Sequence, residues 1–326
     1  MKIPAIAAGV CLLLAGGSAH AADFGCEGKN FVFFPGGAEG DSFASIVYAG
    51  AKLAAQQTGC HVDYVWSDWN PQKMVQQLSE AIARKPTGIS IMGHPGEAAL
   101  GPLIDQAEKA GIIITTSNVD LPNKEAQFKA GGFGYIGAQL LAAGKTLGSA
   151  AVKACGLKSG DTAFVWGLLG QQGRGQRTQG VVDGLKAAGV KVEYLEISDA
   201  VNGDASQGIP IFSSFVASHP DIKAVITDHG ALTATIPAYI QAAGKKPGEV
   251  CGAGFDLSAP IVKGLQDGAI AVVLDQQPFL QGYLPIMQLY LTSKFGFAGI
   301  NVDTGAALIT KDNVGAVASL AKDGIR

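Results

Sequence analysis

Phe31-Val32-Phe33-Phe34-Pro35-Gly36-Gly37, followed by residues 42–57, sets a period that the rest of the chain repeats. The four apolar residues form a run too short for a helix, and Pro35-Gly36-Gly37 ends it, so a buried strand is predicted. Residues 42–57 place apolar side chains at helical spacing, and Gly59 stands where a helix stops. Strand, polar turn and helix in that order make the first half of a βαβ unit.

Moving outward, the unit recurs. Strands are predicted at 62–66, 88–92 and 112–116, with helices at 71–84 and 96–109 between them. Asn70 is the N-cap of the first of these helices and Pro71 its first residue. The pattern then restarts with a helix at 134–153. Strands at 162–166, 190–197, 224–227, 250–254 and 269–274 alternate with helices at 177–188, 209–218, 232–243 and 259–267. Two last helices cover 281–295 and 313–322. Such alternation means right-handed crossovers and parallel sheets. Two runs of domain size predict an α/β fold of two doubly wound parallel-sheet lobes.

The chain has 326 residues and a formal net charge of -3, with both signs interspersed. No basic stripe exists, which argues against nucleic acid as a partner. Lys2, an apolar stretch from Ile3 to Ala15 and the small-x-small site Ala19-His20-Ala21 read as a signal peptide over 1–21, cleaved after Ala21. The expected location is the periplasm. Cys11 lies within the apolar stretch, which leaves Cys26, Cys60, Cys155 and Cys251 in the mature chain. An oxidising compartment permits disulfides. Cys26 and Cys60 each precede a strand, so a Cys26–Cys60 bridge is predicted, and with it Cys155–Cys251. There is no Cys-x-x-Cys, and no metal site is expected.

Ligands of open α/β sheets bind beyond the carboxyl ends of the strands. The residues there are Asp41 and Phe43, Trp69, His94, and Ser117 with Asn118 in the first run. In the second they are Arg174, Asp228 and His229, Asp256, and Gln276. Carboxylates, amides and guanidinium groups pair with adjacent hydroxyls, and aromatic rings stack on the C–H face of a sugar. Each has a plainer reading as well. Asp41 is placed to cap a helix, Phe43 to fill a core, Trp69 to flank a turn, and the two histidines to be satisfied within loops. Asp199, Asn202 and Asp204 are read as a solvated turn, because a calcium loop needs a fuller oxygen set.

Enzyme signatures are missing. Gly173-Arg174-Gly175 lacks the third glycine of a dinucleotide loop, and neither a phosphate loop nor a nucleophile elbow occurs. No catalytic residue and no cofactor is expected.

These residues resemble the ribose-binding-protein group of ABC-importer solute-binding proteins, which have the type I periplasmic-binding-protein fold. The resemblance runs through Gly40-Asp41-Ser42-Phe43, the stretch from His219-Pro220-Asp221 to Asp228-His229, Gly254-Phe255-Asp256, and Gln276 with Pro278. Either Arg174 or Arg177 stands for the family's second-lobe Arg. Ser117-Asn118 stands where the family has Asp-Arg, and His229 where it has Asn. These departures argue against ribose itself. The resemblance implies a monomer that binds a sugar, sugar alcohol or related polyhydroxylated molecule and docks on an inner-membrane ABC permease. It also implies a three-strand hinge, with a first lobe of 24–131 plus 277–303 and a second of 132–276 plus 304–326. An extracytoplasmic sensor subunit that presents such a ligand to a receptor would use the same fold. A hydrolase or isomerase built on Asp256 and His229 is the least favoured reading, since no nucleophile–base pair has recognisable spacing.

Overall fold

The computed structural model describes residues 25–326. The expected signal peptide, its expected cleavage site and Cys11 lie outside the described residues. The first half of the chain runs β1 (Asn30–Phe33), α1 (Ser42–Thr58), β2 (His61–Tyr64), α2 (Pro71–Ala83), β3 (Gly88–Met92), α3 (Glu97–Lys109), β4 (Ile113–Ser117), α4 (Pro122–Phe128) and β5 (Tyr135–Gly137). The second runs α5 (Leu140–Ala154), β6 (Thr162–Gly167), α6 (Gly175–Ala187), β7 (Lys191–Glu196), α7 (Asp199–Gly203), α8 (Gly208–Ser218), β8 (Ile222–Thr227), α9 (Gly230–Ala242), β9 (Cys251–Phe255), α10 (Ala259–Asp267) and β10 (Ile270–Asp275). The tail adds α11 (Pro278–Phe295), β11 (Asn301–Asp303), β12 (Ala307–Thr310) and α12 (Ala318–Lys322).

The strands form two six-stranded sheets of matching order, β11-β5-β4-β3-β1-β2 and β12-β10-β9-β8-β6-β7. All registered pairs are parallel except β12 on β10. The predicted α/β architecture of two doubly wound lobes is therefore the observed one. In each sheet the winding direction reverses between the first and third strands, β1 and β3 in one lobe, β6 and β8 in the other. At such a reversal the flanking loops part and leave a crevice at the carboxyl ends.

Local chemistry explains the elements that open toward this crevice. Asp41 Oδ1 accepts from the Phe43 and Ala44 backbone amides at 3.0 and 2.7 Å and so starts α1. Asn70 does the same for α2 through the Lys73 amide at 2.9 Å, with Pro71 next. Each lobe packs its own apolar core. Phe33, Phe34, Met74, Leu78 and Ile91 are buried in the first, and Trp166, Phe212, Ile236 and Tyr239 in the second.

The structure departs from the sequence expectation in several places. The helix expected from 134 begins only at Leu140; Tyr135–Gly137 is instead strand β5, paired with β4 and β11. The boundary expected at 131/132 would sever β5 from the sheet that holds it. The chain first passes between sheets after Gly137, then after β10, and again between β11 and β12. Strands β11 and β12 and helices α4 and α7 are too short to show a period. Both predicted cysteine pairs are bridged, Cys26 to Cys60 and Cys155 to Cys251.

Candidate functional site

The carboxyl ends of the two sheets converge on one cavity. It encloses about 420 Å³ of empty space, its open mouth included. Nine of the eleven candidate binding residues line it: Asp41, Phe43, Trp69, His94, Asn118, Arg174, His229, Asp256 and Gln276. Ser117 and Asp228 do not. Ser117 lies fully buried at the end of β4, under Asn118. Asp228 sits one layer back. Its Oδ2 accepts from the Leu168 amide at 3.1 Å and from Thr178 Oγ1 at 3.2 Å, and its Oδ1 holds His229 Nδ1 at 2.5 Å.

One wall is aromatic. The Trp69 ring lies 5.9 Å from that of Phe43 and 5.1 Å from that of His94, centroid to centroid. Its Nε1 donates to Asp41 Oδ2 at 3.1 Å, so the helix cap also fixes the indole. The two glycines that end β1 make room for it. A Cβ on Gly36 would stand 2.4 Å from the indole, and one on Gly37 2.8 Å from it. Burial, then Arg174 and Arg177, push the His94 imidazole well below its ordinary value, so it is neutral.

Polar groups form the floor and the facing wall. Gln276 is the centre of the floor. Its Oε1 accepts from Arg177 Nη1 at 3.2 Å and Asn118 Nδ2 at 3.5 Å, while its Nε2 donates to Asp256 Oδ1 at 2.6 Å. Asp256 Oδ2 accepts from the Gly230 amide at 2.9 Å. Burial pushes the Asp256 carboxyl up to about 6 against the pull of Arg177. Arg177 lies 4.7 Å over the Phe255 ring. Arg174 is buried, yet its guanidinium makes no hydrogen bond or ion pair with a described residue. Burial lowers its pKa to about 10, which leaves it charged at neutral pH. Burial opposes ionisation of Asp228 too, but adjoining His229 and the two arginines outweigh it and hold this carboxyl below the usual range. Burial also keeps His229 neutral. With Nδ1 committed to Asp228, its Nε2 is left to accept a hydroxyl proton.

Backbone strain gathers here. Trp69, Asn118 and Asp256 have φ of 54°, 62° and 72°. Left-handed backbone is uncommon outside glycine and collects at functional sites. Sequence reading left open which of two arginines faces the cavity; both do. It set aside Asn202, which also lines it. No spacing signal marks Asn202, because α7 spans only five residues.

Two α/β lobes of equal winding thus meet over a cavity with one aromatic and one polar wall. The family model for the periplasmic binding protein domain matches residues 31–295, and the chain belongs to that family. Among curated proteins it is 27% identical over 253 residues to the xylose/arabinose-binding protein XylF of Sulfolobus acidocaldarius, covering 74% of this chain and 61% of that one. It is 27% identical over 179 residues to a D-ribose/D-allose-binding protein of Pseudomonas aeruginosa, covering 55% of this chain and 54% of the relative. The chain thus spans little more than half the length of these two relatives. A carbohydrate transporter of Acidothermus cellulolyticus in complex with myo-inositol superposes with a TM-score of 0.78 at 25% identity, covering 91% of this chain and 99% of that chain. A solute-binding protein of Burkholderia graminis in complex with D-arabinose gives a TM-score of 0.77 at 25% identity, covering 88% and 96%.

Proposed function

We propose that this chain is the extracytoplasmic solute-binding subunit of an ABC importer and that it clamps a small neutral sugar or sugar alcohol between its lobes. One observation carries the reading: strand ends of both sheets supply one cavity, rings from the first lobe and hydrogen-bonding groups from the second. A ligand touching both lobes binds only their closed arrangement, so it shifts the open–closed population. The three chain passages between the sheets serve as the hinge. Gln281 ties the second and third of them to the end of β4, since its side chain joins the Gln276 carbonyl at 2.9 Å, Thr304 Oγ1 at 3.1 Å and Asn118 at 2.9 Å. Relatives that bind pentoses, D-allose and myo-inositol support the ligand class. The periplasmic family supports the location, and the importer subunits among its structural relatives support the permease as partner.

The test is calorimetry and thermal shift with D-ribose, D-arabinose, D-xylose, D-allose, D-glucose and the inositols, with small-angle scattering on any binder. At a ligand concentration of one hundred times Kd the stabilisation should reach about 2.7 kcal/mol. The radius of gyration should also fall. A panel in which every compound leaves the melting temperature unchanged overturns the proposal.

A further inference from the structure

The two cavity walls are chemically unlike. Phe43, Trp69 and His94 give the first lobe a wall of rings. The second lobe has large aromatic side chains too, but Trp166, Phe212 and Tyr239 are stacked on one another inside its core. Among the described residues, none of the second lobe's Phe, Tyr or Trp side chains lines the cavity. From α7 the second lobe contributes Asn202 to the lining instead.

Its placement is built in. Ser198 Oγ accepts from the Val201 amide and starts α7. Val201, 1% exposed, anchors α7 in the second core. The next residue, Asn202, is half-buried and lines the cavity, and its side-chain amide makes no hydrogen bond with any described residue. Gly230 and Ala231, also in the lining, are small.

We infer that Asn202 is a specificity-determining residue and that the ligand is a ring polyol with one C–H face toward Phe43 and Trp69 and an axial hydroxyl on the other face toward Asn202. The inference rests on the proposed function. A ring whose hydroxyls are all equatorial has two C–H faces. One suits the aromatic wall; the other would leave the Asn202 amide without a partner, which costs more than a hydrogen bond contributes. An axial hydroxyl both donates and accepts, as the amide does.

Three epimer pairs probe this by calorimetry: myo-inositol against scyllo-inositol, D-allose against D-glucose, and D-ribose against D-xylose. The first of each pair carries the axial hydroxyl in its chair form. In the tightest-binding pair, the axial member should bind better. Asn202→Ala should weaken it about tenfold and its equatorial partner less than about threefold. Asn202→Phe supplies a second ring face and should reverse the preference. Melting temperatures without ligand confirm that both variants fold. Equal losses within a pair, or no loss, overturn the inference and leave the sugar-binding reading standing. Binding of D-arabinose with no member of any pair also overturns the inference alone; if no compound of the whole panel binds the unaltered protein, the sugar-binding reading falls and this inference with it.

Discussion

Asp256 combines a strained backbone with a buried carboxyl that lines the cavity. Its backbone is left-handed, φ 72°, and this turns the carboxylate back over the end of β9. There it accepts from Gln276 and Gly230 at 2.6 and 2.9 Å. Asn in its place would set an amide donor against one of these donors. Asp256→Asn should therefore weaken sugar binding tenfold to a hundredfold by calorimetry, since hydrogen bonds to a charged group are worth about 1.5–3 kcal/mol. An unchanged Kd would remove Asp256 from the ligand set. The same carboxyl titrates at 3.8 when unfolded and about 6 when folded. The folded state thus holds the proton more tightly between these values, and the stability this contributes is lost as pH rises through about 6. Against wild type, Asp256→Asn should gain relative stability between about pH 4 and pH 7. A flat difference across that range in melting experiments would contradict the buried carboxyl. The position of Asp256 after a strand was legible in the sequence. That Asp228, equally well placed in the sequence, sits behind His229 depended on side-chain directions that no spacing encodes.

Among the elements, α1 and α11 pack closely, which joins the start of the first lobe to the helix that follows β10. Gly50 and Gly282 allow the approach. A Cβ on Gly282 would fall 1.8 Å from the Val47 carbonyl oxygen, and one on Gly50 2.0 Å from that of Phe279. Backbone cannot yield as a side chain does. Gly282→Ala should cost about 3 kcal/mol in denaturant unfolding, the upper range of overpacking. A cost under about 0.5 kcal/mol, typical of a surface site, would mean the helices are free to separate. Long helices and buried strands were readable from period and caps. Elements such as β5, β11 and α7 are held by partners distant in sequence, so no local pattern announced them.

For the whole molecule, function and covalent support occupy opposite sheet edges. The cavity lies at the carboxyl ends of the strands. The bridges lie toward the amino ends, with Cys26 and Cys60 just before β1 and β2 and Cys251 opening β9. Replacing Cys155 and Cys251 together by serine opens a link of sequence separation 96. The expected loss is about 2–4 kcal/mol of stability with ligand affinity within about twofold of wild type. A large loss of affinity with unchanged stability would place this bridge in the binding mechanism.

By itself the sequence determined the α/β class, the two windings, the cysteine pairs and nine cavity-lining residues. All of these follow from local periodicity, caps and the rule that loops at strand ends face the crevice. Only the tertiary structure decided that Asn202, and none of the second lobe's Phe, Tyr or Trp side chains among the described residues, lines the cavity, that Ser117 and Asp228 do not, and that β5 belongs to the first sheet. Those outcomes depend on which chain segments meet across the fold, and that meeting is a property of packing in space.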